Sequence, residues 1–150
     1  MFAETKKVND RADAIASHAR PTLLIIDDDP RIAKEIERSL HGRARFLSST
    51  DGYNGREIAN ARKDIDLIVL DLTMPHYDAI ELLKDLHKDG VRLPIVLMSG
   101  WNADFLRTVS SLATALGFTV LDAVEKPFES VRLIDIVAHL GASQPEEHYA

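Results

Sequence analysis

The chain has 150 residues, 18 basic and 24 acidic side chains for a formal net charge of −6, and no cysteine. That length suits one domain with a sizeable core, and the missing thiols exclude disulfides, thiol catalysis and thiolate metal sites. The acidity and the lack of a Lys/Arg run argue against a nucleic-acid face, no apolar run nears the roughly 18–20 residues of a membrane span, and "MFAETKKVND" lacks a secretory core, so the cytoplasm is the expected location.

Residues 1–20 stand in front as an N-terminal extension, in which "DRADAIASHAR" reads either as a short extra helix or as a frayed lead-in. "TLLIID" (22–27) is the first strand candidate, nearly continuous Leu and Ile, as expected of a strand covered on both faces. It runs into three consecutive carboxylates, Asp27, Asp28 and Asp29. Like charges so placed need a cation, a helix terminus or full solvation. Asp29 suits a helix cap, because Pro30 follows and Ile32, Ile36 and Leu40 recur at helical spacing before Gly42.

"ARFLSST" (44–50) reads as a peripheral strand and Asn54 to Ala61 as a short helix with Ile58 inward. "DLIVLD" (66–71) repeats the buried-strand pattern and ends on Asp71; Ala79 to Lys88 is the next helix, closed by Gly90. "PIVLMS" (94–99) ends on Ser99, and Ala103 to Leu116 follows, stopped by Gly117. "FTVLDA" (118–123) is the fifth strand candidate, and Glu129 to Leu140 the last helix, with Gly141 as its stop. This order is (βα)5, an α/β doubly wound parallel sheet of five strands with right-handed crossovers and helices on both faces. The domain spans 21–141, and residues 142–150 form a short tail.

Open parallel sheets collect functional groups at the carboxyl ends of their strands. Asp27 and Asp28, Asp71, Ser99 and Lys126 all fall at that edge, which predicts one shallow acidic pocket with a hydroxyl and an ammonium beside it. Singly, each residue is ordinary turn or surface material; the joint pattern points to chemistry. Crowded carboxylates suppress one another's ionisation unless a divalent cation offsets them. Oxygen ligands suit Mg²⁺, with Mn²⁺ as a substitute. An Asp held there can attack phosphorus, and Lys126 and Ser99 can donate to the new phosphoryl oxygens.

The motifs "IIDDDP" (25–30), "LIVLDLTMP" (67–75), "LMSG" (97–100) and "EKPF" (125–128) resemble those of response-regulator receiver domains, the phosphoacceptor half of two-component signalling. The resemblance covers residues 22–140 and implies a flavodoxin-like strand order 2-1-3-4-5. It implies that Asp71 accepts the phosphoryl group, with Ser99 as switch hydroxyl and Lys126 as phosphate partner. Asp28 becomes a direct Mg²⁺ ligand, Asp27 holds a metal-bound water, and Asp71 and the Thr73 carbonyl complete the metal set. A cis bond before Pro127 belongs to the same pattern.

Three positions depart from the family. Ala123 replaces the usual strand-five aromatic, so an aromatic relay is missing or replaced. The Ser99–Lys126 segment is about five residues longer than in compact members, a form similar to receivers attached to cyclic-dinucleotide phosphodiesterases. Ala79 stands where Gly is usual; a left-handed backbone there would cost roughly 1 kcal/mol, so a turn without one is expected.

The sequence thus predicts a stand-alone module phosphorylated by a sensor histidine kinase or His-phosphotransfer protein, which signals to a downstream effector by altered binding. It is not expected to be an enzyme beyond self-phosphorylation and autodephosphorylation. A homodimer or docking surface near Ala115, Phe118 and Leu121 competes with core packing there. Trp101 and Asn102 lie at the pocket mouth, with Trp101 as a candidate for the phosphodonor approach. Thr73 and Met74 flank the acceptor, His76 is expected to face solvent, and the role of Tyr77 stays open. Two other functions compete: a phosphorylation-independent receiver-like scaffold, and an Asp-nucleophile Mg²⁺ phosphatase that would use Asp27 with Asp29 two residues on.

Overall fold

The computed structural model describes residues 20–100, 102–127 and 129–143. The optional N-terminal helix, Trp101 and the tail from 144 lie outside the described residues. Strands β1 (Thr22–Ile26), β2 (Arg45–Ser49), β3 (Leu67–Asp71), β4 (Ile95–Ser99) and β5 (Val120–Glu125) form one parallel sheet, ordered β2-β1-β3-β4-β5. Between and after them run α1 (Pro30–Ser39), α2 (Gly52–Ala61), α3 (Ala79–Lys88), α4 (Ala103–Ala115) and α5 (Ser130–Ser143). The (βα)5 flavodoxin-like order is as expected.

The inner strands are apolar except for one polar residue at an end of each, because both their faces are covered. Leu24, Ile26, Ile68, Leu70 and Leu97 pack against Ala59 of α2, Leu82, Leu83 and Leu86 of α3, and Leu106 and Val109 of α4. Their neighbours Leu23, Ile25, Leu67, Val69 and Met98 point the other way, onto Ala33 and Ile36 of α1 and Leu133 and Val137 of α5. Fully burying each such side chain contributes about 1.5–3 kcal/mol, so any slip in register would be opposed along the whole strand. Among the described residues no helix is long and apolar enough to cross a membrane.

The register sets up the carboxyl edge. Ile26 pairs with Leu70 and Asp71 with Met98, so Asp27 stands level with Asp71, and Ser99 lies one residue past the β4 partner of Asp71.

Helix ends divide into those local chemistry decides and those it does not. Gly90 (φ 85°) and Gly117 (φ 94°) adopt the left-handed backbone expected of stops. Each closes a Schellman motif: Val91 N–H donates to the Leu86 carbonyl at 2.9 Å, and Phe118 N–H to the Ala113 carbonyl at 3.0 Å. Gly141 does not act as a stop, because α5 continues to Ser143; glycine permits a helix end without compelling one. Helix α2 begins at Gly52 rather than Asn54, since the Asp51 side chain accepts the Tyr53 N–H at 2.9 Å and caps it.

The fifth strand is displaced from its expected place. Phe118 is consumed by the α4 cap and buried at 3% exposure, and pairing with β4 starts at Val120, with a bulge that skips Leu121. Of the residues weighed between a docking surface and core packing, Phe118 is core, while Leu121 is exposed. Ala79 is the first residue of α3, with Asp78 as its cap. The one described non-glycine residue with positive φ is His76, at 73°, where the left-handed backbone costs roughly 1–2 kcal/mol.

Candidate functional site

The three aspartates after β1 have three separate fates. Asp27 is 2% exposed. One of its oxygens accepts the Asp29 N–H at 2.9 Å, and the other takes the Lys126 ammonium at 2.6 Å. Asp28 is exposed. Asp29 caps α1 through the Arg31 N–H at 3.0 Å and holds the Arg31 guanidinium in a two-point fork.

Asp71, at the end of β3, is 1% exposed. Its Oδ1 accepts from the Thr73 N–H at 3.2 Å and the Thr73 hydroxyl at 2.9 Å, and lies 3.4 Å from Lys126 Nζ. An Asp accepting from the residue two places on is an Asx turn. The Thr73 hydroxyl was not expected in this role, although the Asp-Leu-Thr spacing carried that signal. Ser99 is fully buried at the end of β4. Its carbonyl accepts the Lys126 N–H at 2.8 Å, tying the residue after β5 to β4, and the Lys126–Pro127 peptide is cis. Asn102 caps α4 by accepting the Asp104 N–H at 2.8 Å.

Asp27, Asp28 and Asp71 can each present an oxygen within 4.8 Å of the other two. Burial pushes the Asp27 carboxyl up; the hydrogen bonds from Lys126 and the Asp29 N–H oppose this, and the Asp71 charge adds to it. Burial also works against the Lys126 ammonium, yet its bond to Asp27 and the Asp71 charge hold it above the usual lysine value. Three carboxylates face one ammonium, so negative charge remains after that pairing. A hard, all-oxygen donor set with surplus negative charge fits Mg²⁺.

Comparison with known proteins agrees with this geometry. The model of the response regulator receiver domain family matches residues 23–138. The chain belongs to that family. The receiver is 29% identical over 119 residues to the C4-dicarboxylate transport transcriptional regulatory protein DctD of Pseudomonas aeruginosa, covering 79% of this chain and 25% of that protein. It is 33% identical over 113 residues to the cell cycle response regulator CtrA of Brucella ovis, covering 75% and 46%. The chain therefore spans between a quarter and a half of the length of these curated relatives.

Among solved structures, the Francisella response regulator 1452 receiver domain is similar at TM-score 0.69 and 28% identity, over 83% of this chain and 99% of that one. The BeF3-activated DrrB receiver domain shares the fold at TM-score 0.61 and 22% identity, over 81% and 97%. The cluster of Asp27, Asp28 and Asp71 resembles the Mg²⁺ site of receiver domains, and family and cluster together are consistent with a phosphoacceptor receiver in two-component signal transduction.

Proposed function

We propose that this receiver accepts a phosphoryl group on Asp71 from a phosphohistidine of a sensor histidine kinase or His-phosphotransfer protein, in a Mg²⁺-dependent reaction. The observation that carries the reading is the position of Asp71: buried, level with Asp27, and contacted on one oxygen by Thr73 and Lys126. Asp27, Asp28, Asp71 and the Thr73 carbonyl would hold the ion, with Mn²⁺ as a substitute. When bound, the ion offsets the carboxylate charge and the charge of the entering phosphoryl oxygens.

Thr73 and Lys126 orient the Asp71 carboxylate through Oδ1. Attack on phosphorus forms an O–P bond as the donor's N–P bond breaks; the bonding pair returns to the imidazole nitrogen, which takes up a proton. Lys126 and the Ser99 hydroxyl then donate to the phosphoryl oxygens. Water returns the carboxylate by hydrolysis, so the domain turns over its own phosphate and no other substrate. Output is altered binding to a downstream protein, with a homodimer as one form it can take. The reading sets the domain in the cytoplasm, with no nucleic-acid or membrane contact of its own.

The phosphatase alternative needs Asp29 as proton donor. The hydrogen bonds from Arg31 hold that carboxyl below its usual value, which suits a cap and not an acid. The likeness to phosphodiesterase-linked receivers rests on the long Ser99–Lys126 segment alone and adds no partner. The test is incubation with Mg²⁺ and acetyl phosphate, mapping of the acyl phosphate, and comparison with Asp71→Asn. Label on Asp71 that vanishes in the variant supports the reading; label persisting in the variant rejects the acceptor. No label in either, with a histidine-kinase donor also failing, favours the phosphorylation-independent scaffold.

A further inference from the structure

The loop from β3 to α3 is fastened at two points, and only one of them belongs to the pocket. At its start Thr73 donates twice to Asp71. At its end the chain turns through the left-handed His76 and drives Tyr77 inward, to 6% exposure. The Tyr77 ring lies on Tyr53 of α2, with centroids 4.3 Å apart and planes tilted by 40°. Gly52 makes room for it, since a Cβ there would sit 3.1 Å from Tyr77 Cβ and Cδ2.

The Tyr77 hydroxyl donates to the Asp85 carboxylate on α3. Arg56 Nη1 stands 3.7 Å from the same carboxylate, while its guanidinium forks onto Asp89 at 2.7 and 2.8 Å. Tyr53 adds a long contact, its hydroxyl 3.5 Å from the His76 carbonyl. Three residues, Met74, Pro75 and His76, separate the two fastenings, and one of them is a proline with fixed φ. So short a link leaves little slack between Tyr77 and Thr73.

Packing alone does not account for the phenol. An apolar side chain would fill the space beside Tyr53 and Gly52 without a polar atom to satisfy, whereas a buried hydroxyl is tolerated only where an acceptor meets it. We infer that the Tyr77–Asp85 hydrogen bond positions Thr73 against Asp71 and thereby sets Mg²⁺ affinity and phosphoryl acceptance, a positioning role that rests on the acceptor reading above. Burial and the bond to Asp85 push the Tyr77 hydroxyl up to about 12, so it stays a donor at neutral pH.

The experiment compares wild type, Tyr77→Phe, Asp85→Ala and the double variant. Three quantities are followed: the Thr73 amide resonance during Mg²⁺ titration, the rate of Asp71 labelling by acetyl phosphate at saturating Mg²⁺, and the melting temperature. We expect each single variant to move the Thr73 resonance, weaken Mg²⁺ binding about threefold or more and slow labelling by a similar factor, with the double variant no worse than either. Asp85→Ala keeps the tyrosine ring in place if Tyr77→Phe folds poorly. A lower melting temperature with Thr73, Mg²⁺ affinity and labelling unchanged would reduce Tyr77 to packing and overturn the inference. If wild type takes no label from acetyl phosphate or from a histidine-kinase donor the acceptor reading fails, while the Thr73 resonance and Mg²⁺ affinity still decide the positioning.

Discussion

Two of the places where Asp meets a cation behave in opposite ways. At the carboxyl edge, Lys126 Nζ is 2.6 Å from an Asp27 side chain with no exposed surface. On the α2–α3 face, the Arg56 fork grips Asp89 at similar distances, with the two side chains 37% and 17% exposed. Burial drives the Asp27 carboxyl up, while Arg56 and then Asn60 hold Asp89 down at about 2. Pair distance therefore says little about what a pair does. The desolvated one is under electrostatic load that a divalent cation can relieve; the wet one fastens two helices.

The sharpest way to break that contrast is Lys126→Met. It leaves Asp27 and Asp71 buried side by side without their cation, and urea unfolding in metal-free buffer should show a loss of about 3 kcal/mol. A loss no larger than that of an exposed pair would erase the distinction.

Magnesium should act on one cluster only. At a hundredfold excess over its dissociation constant it should stabilise the chain by about 2.7 kcal/mol, reversibly with chelator, and Asp28→Asn should weaken its binding about tenfold or more. Thermal shift across a Mg²⁺ titration reads both, and an unmoved wild-type midpoint would remove the metal from the pocket.

Next in size is Asp89→Asn, which should lower the melting temperature by about 2–4 °C and leave Mg²⁺ affinity as it was. Because folded Asp89 titrates at about 2 against an ordinary 3.8, its contribution is present above pH 4 and disappears as pH falls towards 2. Wild type and variant should therefore converge in stability across that interval; a gap that persists at pH 2 would point to lost packing instead of lost charge.

The smallest effect is expected between the two clusters. Ala79 opens α3 on ordinary right-handed backbone with its methyl buried, so Ala79→Gly should relieve no strain and cost about 0.5–1 kcal/mol through added chain entropy and lost burial. Measured stabilisation would mean that Ala79 carries the strain assigned here to His76.

Much of this was readable in one dimension where a residue's role depends on its immediate neighbours. The uninterrupted apolar runs at 22–26, 67–71 and 95–99 became the inner strands, because only strands covered on both faces can bury every side chain. Asp29 before Pro30 and the glycines at 90 and 117 worked as expected, since capping is settled within one helical turn. The fifth strand and the last stop were harder: Phe118 went to a helix cap and Gly141 stayed inside α5. Those outcomes depend on which distant surface offers burial.

The division at the pocket follows the same line. The sequence by itself determined which chemical groups reach the carboxyl edge, because strand length and alternation deliver Asp27, Asp71 and Ser99 to the ends of β1, β3 and β4. Only the tertiary structure decided that Asp27 is dry and Asp28 wet, that Thr73 clasps Asp71, and that Tyr77 reaches Asp85. Burial and hydrogen-bond partners come from chain segments up to 99 residues away, and a carboxylate's charge state answers to that environment rather than to its neighbours in sequence.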